Sequence, residues 1–194
     1  MTTKDKIIEA SIRLFNTHGV SKVSLRQIAA EIGISHGNLA YHYKNTEIVL
    51  HEIYTRMDAE MATAVYPEHG KVDLAYYHAL LYRISDFQRR YRFFYMDMLE
   101  IARRYPELIE RYRATITVRR EQTRQLFDAL LARGFLKPEP EPGFYLSLAH
   151  AIWVMSTFWL QQERILGSEH PAVQAGNNIK HIWEILLPHL THKG

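Results

Sequence analysis

The sequence predicts an all-α protein. Apolar residues recur at spacings of three and four along most of the chain, and no stretch alternates apolar and polar residues as a half-buried strand would. Glycine separates several of these periodic segments, as at Gly19, Gly33, Gly134 and Gly167. We therefore expect about nine helices, three in an N-terminal unit and the others in a larger C-terminal domain.

The first helix is expected over residues 3–18 and ends at Gly19, which can terminate it. Its apolar positions fall on one side: Ile7, Ile8, Ala10, Leu14 and Phe15. This side needs a partner, because an apolar stripe on a helix is stable only when another element covers it.

The stretch 24–43 predicts two short helices joined by a tight turn. Ser24 can cap the first of them, and Gln27 three residues later can return a hydrogen bond to the Ser24 backbone. Gly33 follows the last apolar position, where a left-handed residue can satisfy the carbonyls at the helix end. Ser35 then starts the second helix.

The second helix of this pair has an inner and an outer face. Leu39 and Tyr43 lie four residues apart and are expected to anchor the helix inward. This arrangement leaves a polar, small and aromatic set near the surface: His36, Gly37, Asn38, Ala40, Tyr41 and His42. A helix-turn-helix with such a face is a candidate for entering the major groove of DNA.

The fourth helix is expected to be long. Thr46 is expected to cap it, with Glu47 near its positive end, and the segment 66–70 is expected to break it. Further helices are predicted over residues 73–91, 93–104, 106–134, 144–166 and 171–187. The proline-rich segment 137–143 is expected to be a stiff, non-helical connector.

The charge is unevenly distributed. The chain has a net charge of +3, and all of this excess lies before residue 47, where six lysines or arginines face three acids. The other 148 residues carry 18 charges of each sign. An excess near the helix-turn-helix suits a module that faces phosphate, although an excess of three is small enough to arise by chance.

Composition excludes several classes of protein. There is no cysteine, hence no disulfide framework and no thiolate chemistry. The N-terminus is amphipathic and carries acids, unlike a signal peptide, and the apolar run 146–160 is too short to span a bilayer. A cytoplasmic protein that does not enter the membrane is therefore expected.

The helix predicted over residues 144–166 is apolar on nearly all sides, so more than one face must be covered. The simplest cover for the second face is the same helix of another subunit, with the last two helices forming an isologous four-helix interface. The alternative is a helix buried wholly within one subunit.

These features together resemble the tetracycline-repressor (TetR) family of bacterial regulators. The resemblance is clearest over residues 3–54, in the segments LFNTHGV, SLRQIAAEIGIS and GNLAYHYKN, and the C-terminal part agrees in being helical and of fitting length. The resemblance implies a homodimeric repressor with a helix-turn-helix DNA-binding domain at residues 1–46 and a ligand-binding and dimerisation domain at residues 47–194. It also implies a palindromic double-stranded DNA operator, from which a small-molecule effector releases the protein.

Residues of the DNA site are carried over by position. Arg26, His36, Gly37 and Asn38 match positions that usually touch bases in the family, and Ser35 begins the same helix. Positions that usually meet the sugar-phosphate backbone hold Ser24, Tyr41, His42 and Lys44. Two positions depart from the pattern: Ala40 stands where an aromatic residue is common, and Thr46 where a lysine often contacts phosphate.

The C-terminal domain is rich in aromatic residues, which favours an apolar or aromatic effector held by a few polar groups. The proposed ligand-binding residues are Tyr95, Tyr112, His150, Trp153 and Thr157. At helical spacing most such residues serve equally well as core. No cofactor or metal site is predicted, since the histidines near the C-terminus lack further ligands, and no catalytic motif indicates an enzyme.

One other function remains open. Because Ala40 and Thr46 remove contacts to DNA that are usual in the family, the chain could instead be a helical small-molecule sensor with weak or lost DNA binding. The salt dependence of DNA affinity distinguishes the two functions.

Overall fold

The computed structural model describes residues 1–64, 72–167, 169–173 and 177–192. This part of the chain forms ten α-helices and three short 3-10 helices, and its only β-type pairing is a bridge between Leu136 and Leu190. The all-α prediction is confirmed. The helices are α1 (Thr3–His18), α2 (Leu25–Glu31), α3 (His36–His42), α4 (Thr46–Ala64), α5 (Leu74–Arg90), α6 (Arg92–Met96), α7 (Met98–Arg104), α8 (Pro106–Ala132), α9 (Phe144–Leu166) and α10 (Asn177–Leu186).

Three helix boundaries differ from the prediction. The helix expected over residues 93–104 is divided at Asp97 into α6 and α7. Asn45, rather than Thr46, caps α4, because its Oδ1 accepts the N–H of Ile48 at 2.9 Å. The helix expected over residues 171–187 begins as the 3-10 turn Pro171–Val173, and α10 starts at Asn177. The predicted break at residues 66–70 lies outside the described residues.

Contacts divide the chain into two units. Unit 1 comprises Met1–Glu60 and Arg90–Arg113, and unit 2 comprises Met61–Arg89 and Ala114–Gly194. Residues 47–60 and 90–113 therefore pack with the first three helices, across the boundary predicted at residue 46. The assignment of DNA binding to residues 1–46 and of ligand binding and dimerisation to residues 47–194 stays a prediction.

Unit 1 has a compact apolar core beneath its helix-turn-helix. The most deeply buried side chains, each at most 2% exposed, include Ile7, Ile8, Phe15, Ile28, Leu39, Leu50, Ile53 and Ile101. An aromatic cluster joins α4, α6 and α8, with the ring of Phe94 5.7 Å from that of Tyr54 and 5.4 Å from that of Tyr112. Offset aromatic pairs at such distances add to the stabilisation that burial provides.

The end of α1 is tied to α6 by hydrogen bonds that we call the α1–α6 joint. Asn16 donates from Nδ2 to the Arg90 carbonyl at 2.8 Å and accepts the N–H of Phe93 at 2.9 Å. Arg92 donates to the Asn16 carbonyl at 2.9 Å, and the carboxylate of Asp97 accepts the N–H of Val20 at 2.8 Å. Each bond satisfies a backbone group at a helix end that has no partner within its own helix.

Unit 2 has its own core, to which α5, α8, α9 and α10 contribute. Phe127 of α8 stacks on Tyr145 of α9 at 5.7 Å, and Leu130 and Leu186 are fully buried beside them. The proline-rich segment 137–143 is non-helical, as predicted. Within it, the Glu139 carboxylate accepts the N–H groups of Gly143 and Tyr145 and so caps α9.

No helix in the described part of the chain has both the length and the apolarity needed to cross a membrane.

Asp97 is the acid of the α1–α6 joint, and its replacement tests how much the joint stabilises unit 1. Asp97→Ala removes the acceptor of the Val20 N–H, and the Val20 side chain is buried. Leaving this N–H without a partner should lower the free energy of unfolding by about 1–3 kcal/mol. Asp97→Asn keeps an oxygen acceptor and should cost less. Urea denaturation followed by circular dichroism measures both; equal losses would contradict this role.

The same residue predicts a pH dependence. Burial raises the pKa of Asp97, and the hydrogen bond from Val20 offsets only part of this rise. The folded chain therefore holds this proton to higher pH than the unfolded chain, so its contribution to stability falls as pH rises through the folded pKa. Relative to the wild type, Asp97→Asn should therefore become more favourable as pH rises from the ordinary pKa of an aspartate through the raised pKa of the folded state, which urea denaturation at a series of pH values measures.

Candidate nucleic-acid interface

The start of α2 is closed by a reciprocal pair of hydrogen bonds. The Ser24 hydroxyl accepts the N–H of Gln27 at 3.3 Å, and the Gln27 side-chain oxygen accepts the N–H of Ser24 at 2.8 Å. The predicted capping box is confirmed. It satisfies two of the N–H groups that a helix start leaves unpaired.

The turn between α2 and α3 depends on Gly33. This residue has φ of +70°, a conformation that glycine adopts without steric cost. The N–H of Ile34 reaches back to the Ala29 carbonyl at 3.0 Å and closes the helix end. The turn thus places the start of α3 one residue further on, where Ser35 accepts the N–H of Asn38 at 3.1 Å.

The inner and outer faces of α3 are as predicted. Leu39 is fully buried, and Tyr43, just beyond the helix end, is 5% exposed. Tyr41 lies on the opposite side with 87% of its surface exposed, and its ring contacts that of His42 edge-on at 5.3 Å. An aromatic side chain this exposed adds nothing to the core, which makes it available to a partner.

All residues predicted to contact DNA lie at the surface of unit 1. Eight are exposed: Ser24, Arg26, Ser35, His36, Gly37, Asn38, Tyr41 and Lys44. His42 is half-buried. Their roles in DNA binding stay predictions, but the fold brings them together around the helix-turn-helix.

The positive charges of this surface are available. Arg26 and Lys44 form no ion pair with any described residue, whereas Arg13 on α1 lies 3.4 Å from the Glu31 carboxylate. A cation without a protein partner keeps its full charge for an anionic ligand such as phosphate. The small charge excess of this region is therefore directed toward solvent.

Gly37 is not required by the protein itself. A Cβ atom added there would meet only the Ser35 hydroxyl, at 3.9 Å, and its φ is not in the left-handed region. The backbone of α3 is therefore accessible at this point. Close approach of DNA to the helix would explain the absence of a side chain.

The two positions that depart from the family pattern are both half-buried. Ala40 lies within α3, and Thr46 is the first residue of α4, after the cap at Asn45. Neither offers a charge or an aromatic ring to DNA.

The predicted ligand-binding residues do not all lie together. Tyr95 and Tyr112 belong to unit 1, and His150, Trp153 and Thr157 belong to unit 2. Thr157 is buried, while His150 is exposed and its ring lies 5.6 Å from that of Trp153. Burial raises the pKa of the Tyr112 hydroxyl to about 12 and raises that of Tyr95 further, so both stay neutral.

Unit 2 contains two adjoining cavities. The first, which we call the amide-lined cavity, has a volume of about 130 Å³ and is lined mainly by apolar side chains together with Gln88, Ser156 and Asn178. The second, the arginine-lined cavity, has a volume of about 90 Å³ and is lined in part by Arg119, Arg120 and His150. Trp153 lines both cavities, as do Thr123 and Ala149.

The polar residues of the amide-lined cavity were missed by sequence reasoning. Gln88 falls on the same stripe of α5 as Leu81 and Ile84, at spacings of seven and four. A polar residue on an otherwise buried stripe was the available signal, because such a group must find a hydrogen-bond partner or a ligand.

Unit 1 presents a helix-turn-helix whose Arg26 and Lys44 have no ion-pair partner among the described residues, and unit 2 contains cavities. Together these features indicate a DNA-binding transcriptional regulator of the helical class. The model of the "Bacterial regulatory proteins, tetR family" matches residues 7–53, and a second TetR model, described as "Bacterial transcriptional repressor", matches residues 56–194. The chain therefore belongs to the TetR family.

Solved structures and curated relatives agree with this assignment. A TetR-family transcriptional regulator from Marinobacter aquaeolei VT8 superposes with a TM-score of 0.88 and is 26% identical, covering 100% of this chain and 93% of that one. AcrR of Shigella flexneri is 28% identical over 74 residues, which is 38% of this chain and 31% of AcrR. The probable HTH-type regulator YttP of Bacillus subtilis is 34% identical over 68 residues. The match spans about a third of each of these curated relatives.

The capping box of α2 can be tested by stability. Ser24→Ala removes the acceptor of the Gln27 N–H and should lower the free energy of unfolding by about 1 kcal/mol, as loss of an N-cap usually does. Ser21→Ala changes another exposed serine outside the cap and is the matched control. Chemical denaturation of both variants is the measurement, and equal stabilities would refute the role of the cap.

Proposed function

We propose that the chain is a homodimeric repressor that binds a palindromic operator and is released from it by a small apolar or aromatic effector. The observation that carries this proposal is the exposed face of α3, together with Arg26 and Lys44, which are exposed and have no ion-pair partner among the described residues. The family assignment supports the DNA-binding part.

In the proposed complex, α3 enters the major groove. Arg26 can form two parallel hydrogen bonds to guanine, and His36, Gly37 and Asn38 lie at the start of α3, which faces the bases. Ser24, Ser35, Tyr41, His42 and Lys44 would hold the phosphate backbone. A dimer would present two such helices about 34 Å apart, one turn of DNA.

Exposed apolar residues of α9 support the homodimer. Val154, Phe158 and Ile165 lie on one face of this helix and are 37%, 47% and 74% exposed. Ile185 of α10 is also 37% exposed. No described residue of the chain covers this face of α9, which favours the homodimer over burial of the whole helix inside a single subunit. A symmetric pairing of α9 and α10 would cover it.

Two solved structures of the same fold support an effector. SmeT, whose structure is known in complex with triclosan, has a TM-score of 0.69 at 17% identity. A regulator from Saccharomonospora viridis, whose structure is known in complex with choline, has a TM-score of 0.77 at 15% identity. Here, Trp153 and His150 line a cavity and would contact the effector. Roles for Tyr95, Tyr112 and Thr157 rest on the residue types in the sequence alone.

Coupling would follow from the continuity of the helices. α4, α5 and α8 each contribute residues to both units. An effector that favours one conformer of unit 2 would change the equilibrium between conformers that fit and do not fit the operator.

The other candidate function is a small-molecule sensor that has lost DNA binding, which Ala40 and Thr46 favour. Fluorescence anisotropy with palindromic sites from the DNA flanking the gene, at several salt concentrations, separates the two functions. A repressor should prefer one palindrome over random duplex and lose affinity steeply with salt. No detectable affinity at low salt would support the sensor.

Arg26 is expected to determine base preference. Arg26→Ala should cost about 1–3 kcal/mol on the preferred operator and relax the preference at one position of each half-site. Lys44→Ala should weaken binding to all sequences alike and reduce the salt slope by about 1. Arg124→Ala is the control, because Arg124 is paired with Glu121 and Asp128. It should change neither the affinity for the operator nor the salt slope. Uniform weakening by Arg26→Ala would make Arg26 a phosphate contact.

The dimer can be tested through Phe158. Phe158→Glu places a charge on the exposed apolar face of α9 and should shift the protein from dimer to monomer in sedimentation velocity, because an unpaired charge is costly to bury. Leu99→Glu changes a residue of α7 that is 73% exposed and should leave the dimer intact. A wild-type monomer at micromolar concentration would overturn the symmetric arrangement.

A further inference from the structure

The amide-lined cavity has walls that suit a single ring. Leu81, Ile84, Phe127 and Ile152 are among the apolar side chains that line it, and its volume is about 130 Å³. A cavity of about 150 Å³ with similar walls is large enough to hold benzene. A molecule with one six-membered ring therefore matches this space.

The cavity also carries a cluster of buried polar side chains. Gln88, Ser156 and Asn178 line it and are 5%, 7% and 4% exposed. The Ser156 hydroxyl donates to Oε1 of Gln88 at 3.0 Å, and Asn178 donates from Nδ2 to the Ser85 hydroxyl at 3.3 Å. Ser85 and Gln88 are three residues apart on α5, so these hydrogen bonds bring the polar groups to one side of the cavity.

This cluster is incomplete. Oδ1 of Asn178 is buried and accepts no hydrogen bond from any described residue. Exchanging the two amide atoms would leave the nitrogen in the same position, so one amide group lacks a partner in either assignment. The Nε2 group of Gln88 likewise donates to no described residue. Buried polar groups are normally hydrogen-bonded. One acceptor on Asn178 and one donor on Gln88 without partners therefore suit a ligand that both donates and accepts a hydrogen bond.

The side chains that line the amide-lined cavity disfavour a charged ligand. Among the described side chains that line the amide-lined cavity, none is charged at neutral pH; burial raises the pKa of the Tyr77 hydroxyl there. An ion placed in such surroundings would lose its hydration without gaining a counter-charge. A ligand that fits this cavity must therefore be neutral.

From these observations, and building on the effector role proposed above, we infer that the amide-lined cavity binds a neutral one-ring compound with a hydroxyl group. The hydroxyl donates to the amide of Asn178 and accepts from that of Gln88, and the ring lies against the apolar walls. Phenols of the size of p-cresol represent this class.

Three probes that share a 4-methylphenyl ring test the inference on the full chain without DNA. In p-xylene a methyl group replaces the hydroxyl of p-cresol, and in 4-methylbenzoate a carboxylate replaces it. Isothermal titration calorimetry should find that p-cresol binds at least about tenfold more tightly than either, since a site built for a hydroxyl rejects analogues without one. Equal affinities for p-cresol and p-xylene would overturn the role of the polar cluster. Tightest binding of 4-methylbenzoate would place the ligand against Arg120 and His150 of the arginine-lined cavity instead.

Variants test whether Asn178 binds the hydroxyl group of the ligand. Asn178→Leu should lower the affinity for p-cresol about tenfold without lowering that for p-xylene. Gln125→Leu removes an exposed amide of α8 that lines neither cavity and should change neither affinity. If Asn178→Leu fails to fold, as judged by circular dichroism, the preference of the wild type for p-cresol over p-xylene still tests the inference.

Separate readouts distinguish failure of this inference from failure of the proposed function. No p-cresol binding by a chain that binds its operator would overturn the inference alone. Binding of p-cresol by a chain that has no operator would overturn the repressor function and leave the inference standing.

Discussion

The architecture of unit 1 depends on how the backbone groups at the end of α1 are satisfied. Asn16 and Asp97 supply the side-chain oxygens and nitrogen that pair with Phe93, Val20 and Arg90. Each of these bonds joins residues more than 70 positions apart in the sequence, and together they hold the end of α1 against the segment that contains α6. Asp97, which lies at the break between α6 and α7, directs its carboxylate to Val20.

The helix-turn-helix packs into the core of unit 1, and its local shape is set by its own residues. Ser24, Gly33 and Ser35 determine where α2 ends and α3 begins, through caps and one left-handed turn. Leu39 then anchors α3, and the residues between the anchors are left at the surface. The exposed side chains of α3 that are predicted to contact DNA contribute little to the core, so they can vary without loss of the fold.

Unit 2 places polar side chains where apolar ones would pack more easily. Ser85, Gln88, Ser156 and Asn178 are all buried among the apolar residues of α5, α9 and α10. A buried amide without a partner costs about 1–3 kcal/mol, so a core of hydrocarbon alone would be more stable. Such a cost is expected at sites that serve binding rather than folding.

Local chemistry in the sequence was sufficient for the helices, the capping box at Ser24, the turn at Gly33 and the inner face at Leu39, because each depends on residues within one or two turns of helix. The exposed outer face of α3 followed from the same periodicity, whereas the residues predicted to contact DNA were taken from the family resemblance. Tertiary structure alone decided that the carboxylate of Asp97 meets the N–H of Val20 and that residues 90–113 group with the first helices. It also decided that Tyr95 and Tyr112 lie in a different unit from His150 and Trp153, and that Gln88 and Asn178 share a cavity. These features depend on which distant segments pack together, and a helical repeat specifies only which face of a helix is buried, not which partner buries it.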